Sequence, residues 1–142
     1  MANVTDGAAR KYDLQERLLD FTVRVLDVVE ALPAGRVGNH MAGQLVRCGT
    51  SPVANYSEAL SAESRNDFVH KIRVALKELR ETAVWLTLVQ RKTLIKPAHR
   101  LRPLAVECGE LVAILAASVA TAEGKRQSKW RSHGSQPAAS AT

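Results

Sequence analysis

Phe68, Ile72, Ala75, Leu79, Thr82, Leu86 and Val89 follow one another in strict alternating steps of four and three. Residues three or four apart share one face of an α-helix, whereas a strand repeats every two, so this run excludes a strand. Val69, Leu76 and Ala83 flank the seam and widen it. So continuous an apolar stripe must be covered by another element of similar shape.

Three further segments carry matching stripes. Leu14, Leu18, Phe21, Val25, Val28 and Leu32 repeat the same steps, and Leu19, Leu26 and Val29 broaden them up to a stop at Pro33-Ala34-Gly35. A second helix is expected from Gly38-Asn39, with Asn39 as N-cap, through Met41, Leu45 and Cys48. Gly49-Thr50-Ser51-Pro52 should kink or restart it, since proline removes a backbone donor and crowds the preceding turn. Val53, Tyr56 and Leu60 then resume the pattern. Ser64 or Asn66 can cap the third helix, with Asp67 at its positive end and Lys96-Pro97 marking its exit. The last helix carries Leu101, Leu104, Cys108, Leu111, Leu115 and Val119, has Pro103 in its first turn, and is expected to stop at Gly124.

The fold class implied is all-α, an antiparallel up-down four-helix bundle. Composition agrees: 46% of the residues are apolar, mostly Leu, Val and Ala, and only 4% are aromatic. We expect a flexible N-terminus over residues 1–10, the bundle over 11–123, and a disordered basic tail over 124–142, whose composition is too polar to offset ordering entropy. No leader with a cleavage site precedes the helices, and no apolar run approaches the ~20 residues that span a bilayer, which reads as a soluble cytoplasmic protein. Cys48 and Cys108 both fall within apolar helical patterns and read as reduced, buried thiols, with a disulfide or a reactive thiol as alternatives.

The formal charge of +6 invites a nucleic-acid reading. Beyond Gly124, however, Lys125, Arg126, Lys129 and Arg131 stand without any acid, so residues 1–124 keep only +2. The other candidates for phosphate contact are Arg73, Lys77, Arg80 and Arg91 on the outer side of the third helix, with Arg36, Arg47, Arg100 and Arg102 elsewhere. Each could equally belong to a solvated face. Trp130, among tail cations, could stack on a base.

The third helix has a second seam, Lys71, Val74, Glu78, Glu81, Trp85 and Leu88, on a face roughly 100° or more from the first. A solitary bundle would leave Val74, Trp85 and Leu88 partly wet, which argues for self-association. The competing reading is packing against a neighbouring helix of the same chain.

Glu58, Glu78 and Glu81, with Asn55 and Lys71, could form a carboxylate site. They read more readily as a specificity network, because buried charges normally occur paired. Lys71 and Glu78 are two turns apart, so each should find its partner on another helix. Asp67 and His70 form a single acid-histidine pair, whereas a di-iron bundle needs two such pairs and two further carboxylates. No phosphate loop, zinc spacing or serine-histidine-acid pattern appears. We therefore expect no catalytic residues, no cofactor and no metal, and a protein that is not an enzyme.

Ser51, Asn55 and Glu58, the stretch Glu63 to Ile72, then Ala75-Leu76-Lys77-Glu78, Glu81-Thr82 and Trp85-Leu86 resemble the four-helix-bundle proteins encoded in 23S ribosomal RNA intervening sequences. The likeness covers most of residues 12–122. It departs from the family pattern at Ala59, where glycine is common, and at Pro52. The resemblance implies a ring-shaped homopentamer and, through a similar fold, likeness to accessory proteins of diversity-generating retroelements, which bind a reverse transcriptase and nucleic acid. An RNA or DNA partner, or a protein partner such as a reverse transcriptase, is thus implied. Five copies would present about 30 positive charges to a polyanion. The alternatives are a protein-interaction module without nucleic-acid binding and, at lower weight, a metal-binding or enzymatic bundle.

Overall fold

A computed structural model describes the backbone of residues 3–134 and the side chains of residues 13–124. Four helices run in chain order: α1 (Asn3–Ala31), α2 (Arg36–Leu60), α3 (Arg65–Arg91) and α4 (Arg102–Gly134). A 3-10 turn, Ala98–Leu101, leads into α4. No strand occurs among the described residues. Each helix packs on its sequence neighbours and α4 returns to α1, while the backbones of the diagonal pairs stay apart across the core, so the bundle is a closed square. Contact is broadest between α2 and α3 and thinnest between α1 and α4.

The core is built from the stripes expected, except that Leu19, expected to broaden that of α1, is 41% exposed on its outer side. From α3, Ile72, Ala75, Leu79, Thr82, Leu86 and Val89 are buried, facing Leu18, Phe21, Val25 and Val28 of α1, Leu45 of α2 and Leu104, Leu111 and Leu115 of α4. Phe68 is only partly covered. Thr82 is tolerated in this apolar row because its hydroxyl donates to the Glu78 carbonyl at 2.8 Å. Both cysteines are free and buried, as expected. Burial pushes the Cys108 thiol up to about 12 and raises Cys48 as well, and Cys108 donates to the Leu79 carbonyl at 3.3 Å. Such thiols are poor nucleophiles.

Helix ends follow the sequence in one case and depart from it in others. Ser64 caps α3, accepting from the Asp67 amide at 3.1 Å. Asn39 does not cap α2. The helix begins at Arg36 after Gly35, whose φ of 139° no side-chain-bearing residue adopts readily, and Asn39 donates its amide to the Gly35 carbonyl at 2.9 Å. Nor does α2 restart at Pro52. The proline is fully buried in one continuous helix, and side chains supply hydrogen bonds around it: Thr50 to the Val46 carbonyl at 2.6 Å and Asn55 to the Ser51 carbonyl at 3.0 Å. The interior position next to Tyr56 goes to Ala59, and Leu60 is exposed. α1 packs closely on Gly49, since a β-carbon there would lie 2.6 Å from Val25 Cγ1.

α1 begins at Asn3 and α4 continues through Gly124 to Gly134. Helical backbone thus extends into both segments expected to flank the bundle. One glycine lowers helix propensity by only about 1 kcal/mol, and Ala120, Thr121, Ala122 and Glu123 lead into it. Residues 1–2 and 135–142 of those flanking segments lie outside the described residues. A second correction concerns hydropathy. By length and composition Ala98–Gly124 is apolar enough to cross a membrane, because Leu104–Ala122 contains only Glu107 and Glu110 as charges. Its Leu residues line the core, whereas Val106 on the outer side is 55% exposed.

Candidate functional site

The second seam of α3 meets a polar stripe on α2 that repeats with the same period: His40, Gln44, Arg47, Ser51, Asn55 and Glu58. Because the two helices are antiparallel and each stripe advances by threes and fours, the two form rungs along the outer edge of their interface. At one rung Lys71 Nζ meets Glu58 Oε2 at 2.6 Å. At another, Arg47 bridges two carboxylates, Nη1 to Glu78 Oε2 at 3.2 Å and Nη2 to Glu81 Oε1, and also donates to Gln44 Oε1 at 3.1 Å. Trp85 Nε1 donates to the same Glu81 oxygen at 3.3 Å, and its ring meets that of His40 in an edge-type arrangement at a centroid distance of 5.6 Å.

Electrostatics follow from these contacts. Hydrogen bonding from Arg47, and then from Trp85, holds the Glu81 carboxyl below the usual carboxylate range. The same pair raises Arg47, and Glu58 raises Lys71. Glu81 is therefore favoured in its charged form by Arg47 of the opposite helix. As expected, Lys71 and Glu78 find partners across the interface rather than each other. Among the described residues no group of three or more His, Cys, Asp or Glu side chains is placed to hold a metal, and Asp67 and His70 are both exposed.

Not all of the expected residues join the network. Asn55 donates back to Ser51, to its carbonyl at 3.0 Å and its hydroxyl at 2.9 Å. Val74 and Trp85 are half-buried within the chain, while Leu88 is 40% exposed. Arg47, one of the cations considered for phosphate contact, is instead the hub of the network. Its position in the α2 stripe, three residues from Gln44 and four from Ser51, is the signal that could have placed it there. Val84, which belongs to neither seam, is 57% exposed. Val37 on α2 and Leu88 on α3 are exposed too, as are Leu19 and Val23 on α1 and Val106 on α4.

The outer face of α3 carries Arg73, Lys77, Arg80 and Arg91, all exposed. Arg73 is paired with Glu123 of α4. The side chains of Lys125, Arg126, Lys129, Trp130 and Arg131 lie outside the described residues, although the helical backbone of α4 runs through them. On the opposite edge of the bundle, Arg17 of α1 reaches Glu107 at 2.5 Å and Glu110 at 2.7 Å on α4.

A family model described as 23S rRNA-intervening sequence protein matches residues 3–117. Solved structures also match. One is the crystal structure of a protein with unknown function from the S23 ribosomal protein family of Bacteroides thetaiotaomicron. It is 31% identical, superposes with a TM-score of 0.66, and the match covers 75% of this chain and 97% of that one. No curated protein matches the sequence significantly.

Proposed function

The chain belongs to the 23S rRNA-intervening sequence protein family, and from that premise we propose that it is a non-catalytic, self-associating scaffold that binds nucleic acid in the cytoplasm. The observation that carries this reading is the fate of the polar residues on the α2–α3 seam. Glu58, Glu78 and Glu81 are each joined to a cation across the interface, which suits a device that sets helix register better than a pair of carboxylates kept apart for acid and base roles. Meanwhile Val37, Val84 and Leu88 remain exposed on α2 and α3, and Leu19, Val23 and Val106 on α1 and α4. Exposed apolar residues on different helices favour association between copies, and head-to-tail contacts close into rings when the rotation allows. Family likeness suggests five members.

Light scattering tests assembly. A particle of about five times the 15.5 kDa chain is expected at tens of micromolar, and a monomer there overturns self-association. Titration of labelled RNA and DNA over a range of salt tests the partner. Affinity should fall steeply with ionic strength if phosphates are contacted. No binding by the full-length chain at 50 mM salt would leave the protein-interaction module, with a nucleic-acid-processing protein as its partner, as the better reading.

A further inference from the structure

Between Glu81 and Glu107 the chain has no carboxylate at all, yet that stretch contains Arg91, Lys92, Lys96, Arg100 and Arg102. Residues 1–124 sum to +2 with these five included, so without them the remainder stands at −3. A nearly balanced body therefore conceals a strong separation of charge.

Folding gathers these cations. Arg91 ends α3, Lys92 and Lys96 lie in the connection, Arg100 is in the 3-10 turn, and Arg102 opens α4. In an up-down bundle this connection shares its end with the α1–α2 turn, where Arg36 opens α2. All six side chains are exposed. Among the described residues none of the six has a carboxylate within ion-pair distance, whereas Arg17, Arg47, Lys71 and Arg73 are all paired.

The platform under them is built rather than loose. Ile95 and Leu101 are buried at 5% and 3% exposure and anchor the connection in the core. Its backbone is tied by Lys92 to the Leu88 carbonyl at 2.9 Å, Leu94 to Val89 at 3.1 Å and Arg100 to Pro97 at 3.0 Å. A crevice of about 260 Å³ separates Ile95, Arg100 and Leu101 from Asp27, Val28 and Ala31 of α1. Asp27, with Glu30, makes the α1 edge the one acidic border of this end among the described residues.

We propose that this basic end of the bundle, formed by the α3–α4 connection and Arg36, is the surface that receives the phosphodiester backbone of RNA or DNA. The inference rests on the reading that the protein binds nucleic acid, and it locates the contact at the end of α3, sharing only Arg91 with the outer stripe and lying away from Arg73, Lys77 and Arg80 and from the C-terminal cations. Unpaired arginines and lysines on an ordered support need no ordering of the backbone on binding and spend none of their charge internally. Ile95 and Leu101 point inwards, so what the connection offers a partner is chiefly charge. Some 23 residues of α4 separate Arg102 from Lys125, or about 35 Å at the helical rise, so the two basic regions can be tested separately.

The test uses three variants of the full-length chain: R91Q/K92Q/K96Q/R100Q at the basic end, K77Q/R80Q on the α3 stripe, and K125Q/R126Q/K129Q/R131Q in α4. Fluorescence anisotropy with labelled 20-nucleotide single-stranded RNA and DNA, at several salt concentrations, reads the outcome. The first variant should lose more than about tenfold in affinity for both polymers, with the log-log salt slope reduced by roughly 3. The other two should lose less. A loss confined to one polymer would still assign the surface and would name its ligand. If the first variant binds like the parent while either other one does not, the inference is overturned and nucleic-acid binding stands. If the parent itself fails to bind, both fall. Unchanged circular dichroism of the variants excludes unfolding as the cause.

Discussion

The α2–α3 edge and the α1–α4 edge are opposite sides of the same square, and they are secured in different ways. Along α2 and α3 a wide apolar contact is fringed by rungs, Lys71 with Glu58 at one and Arg47 with Glu78 and Glu81 at another. Across α1 and α4 the contact is narrow and Arg17 spans it to Glu107 and Glu110. Helix pairs joined by short loops gain their packing cheaply, whereas α1 and α4 must meet across the whole length of the chain. The closing edge of an up-down bundle is therefore its most easily opened one.

The largest expected effect is on the strong edge. Leu79→Ala, at a fully buried position of α3, should cost about 2–5 kcal/mol in urea unfolding. A loss below 1 kcal/mol would mean that α3 is not the pillar described. Next comes Gly49→Ala. Its new β-carbon would lie 2.6 Å from Val25 Cγ1, so the buried Val25 side chain or α1 itself must shift, at about 1–3 kcal/mol, and an unchanged melting temperature would contradict the close approach.

The rungs should act through pH. The Glu81 carboxyl is depressed below its unfolded value, chiefly by Arg47, so its contribution is present above the ordinary carboxylate range and lost as pH falls through the folded value. Melting temperatures of the parent and Glu81→Gln should differ at neutral pH and converge in acid. Parallel curves would remove Glu81 from the ladder. The smallest effect is expected for Arg17→Met, at most about 1 kcal/mol, as for other partly exposed pairs. Its signature is local: amide exchange should quicken in α1 and α4 and not in α2 and α3. Uniform acceleration would erase the distinction between the two edges.

Much of this was legible because the core seam is a matter of period. Ile72 through Val89 needed only the helical repeat and a partner surface, and Ser64 needed only its own hydroxyl and the amide of Asp67. The features that were misread depend on contacts between segments. Asn39 is a good cap in isolation, but the α1–α2 turn places Gly35 where the helix must begin. Pro52 should break a helix in water, yet here its ring is buried and Thr50 and Asn55 supply hydrogen bonds around it. Arg47 carried no mark of its partners, which come from a different helix 31 and 34 residues away. The polar seam itself was visible, and so was the need for cross-helix partners; which cation met which carboxylate was not.

Gly35 has a stereochemical corollary. Its φ of 139° and ψ of 177° are the mirror image of ordinary extended backbone, a region that L-residues avoid and D-residues prefer. Nothing lies within 4 Å of a β-carbon built there. A chemically synthesised chain with D-alanine at this position should therefore fold with an unstrained α1–α2 turn and a less flexible unfolded state, while L-alanine at the same position should strain it.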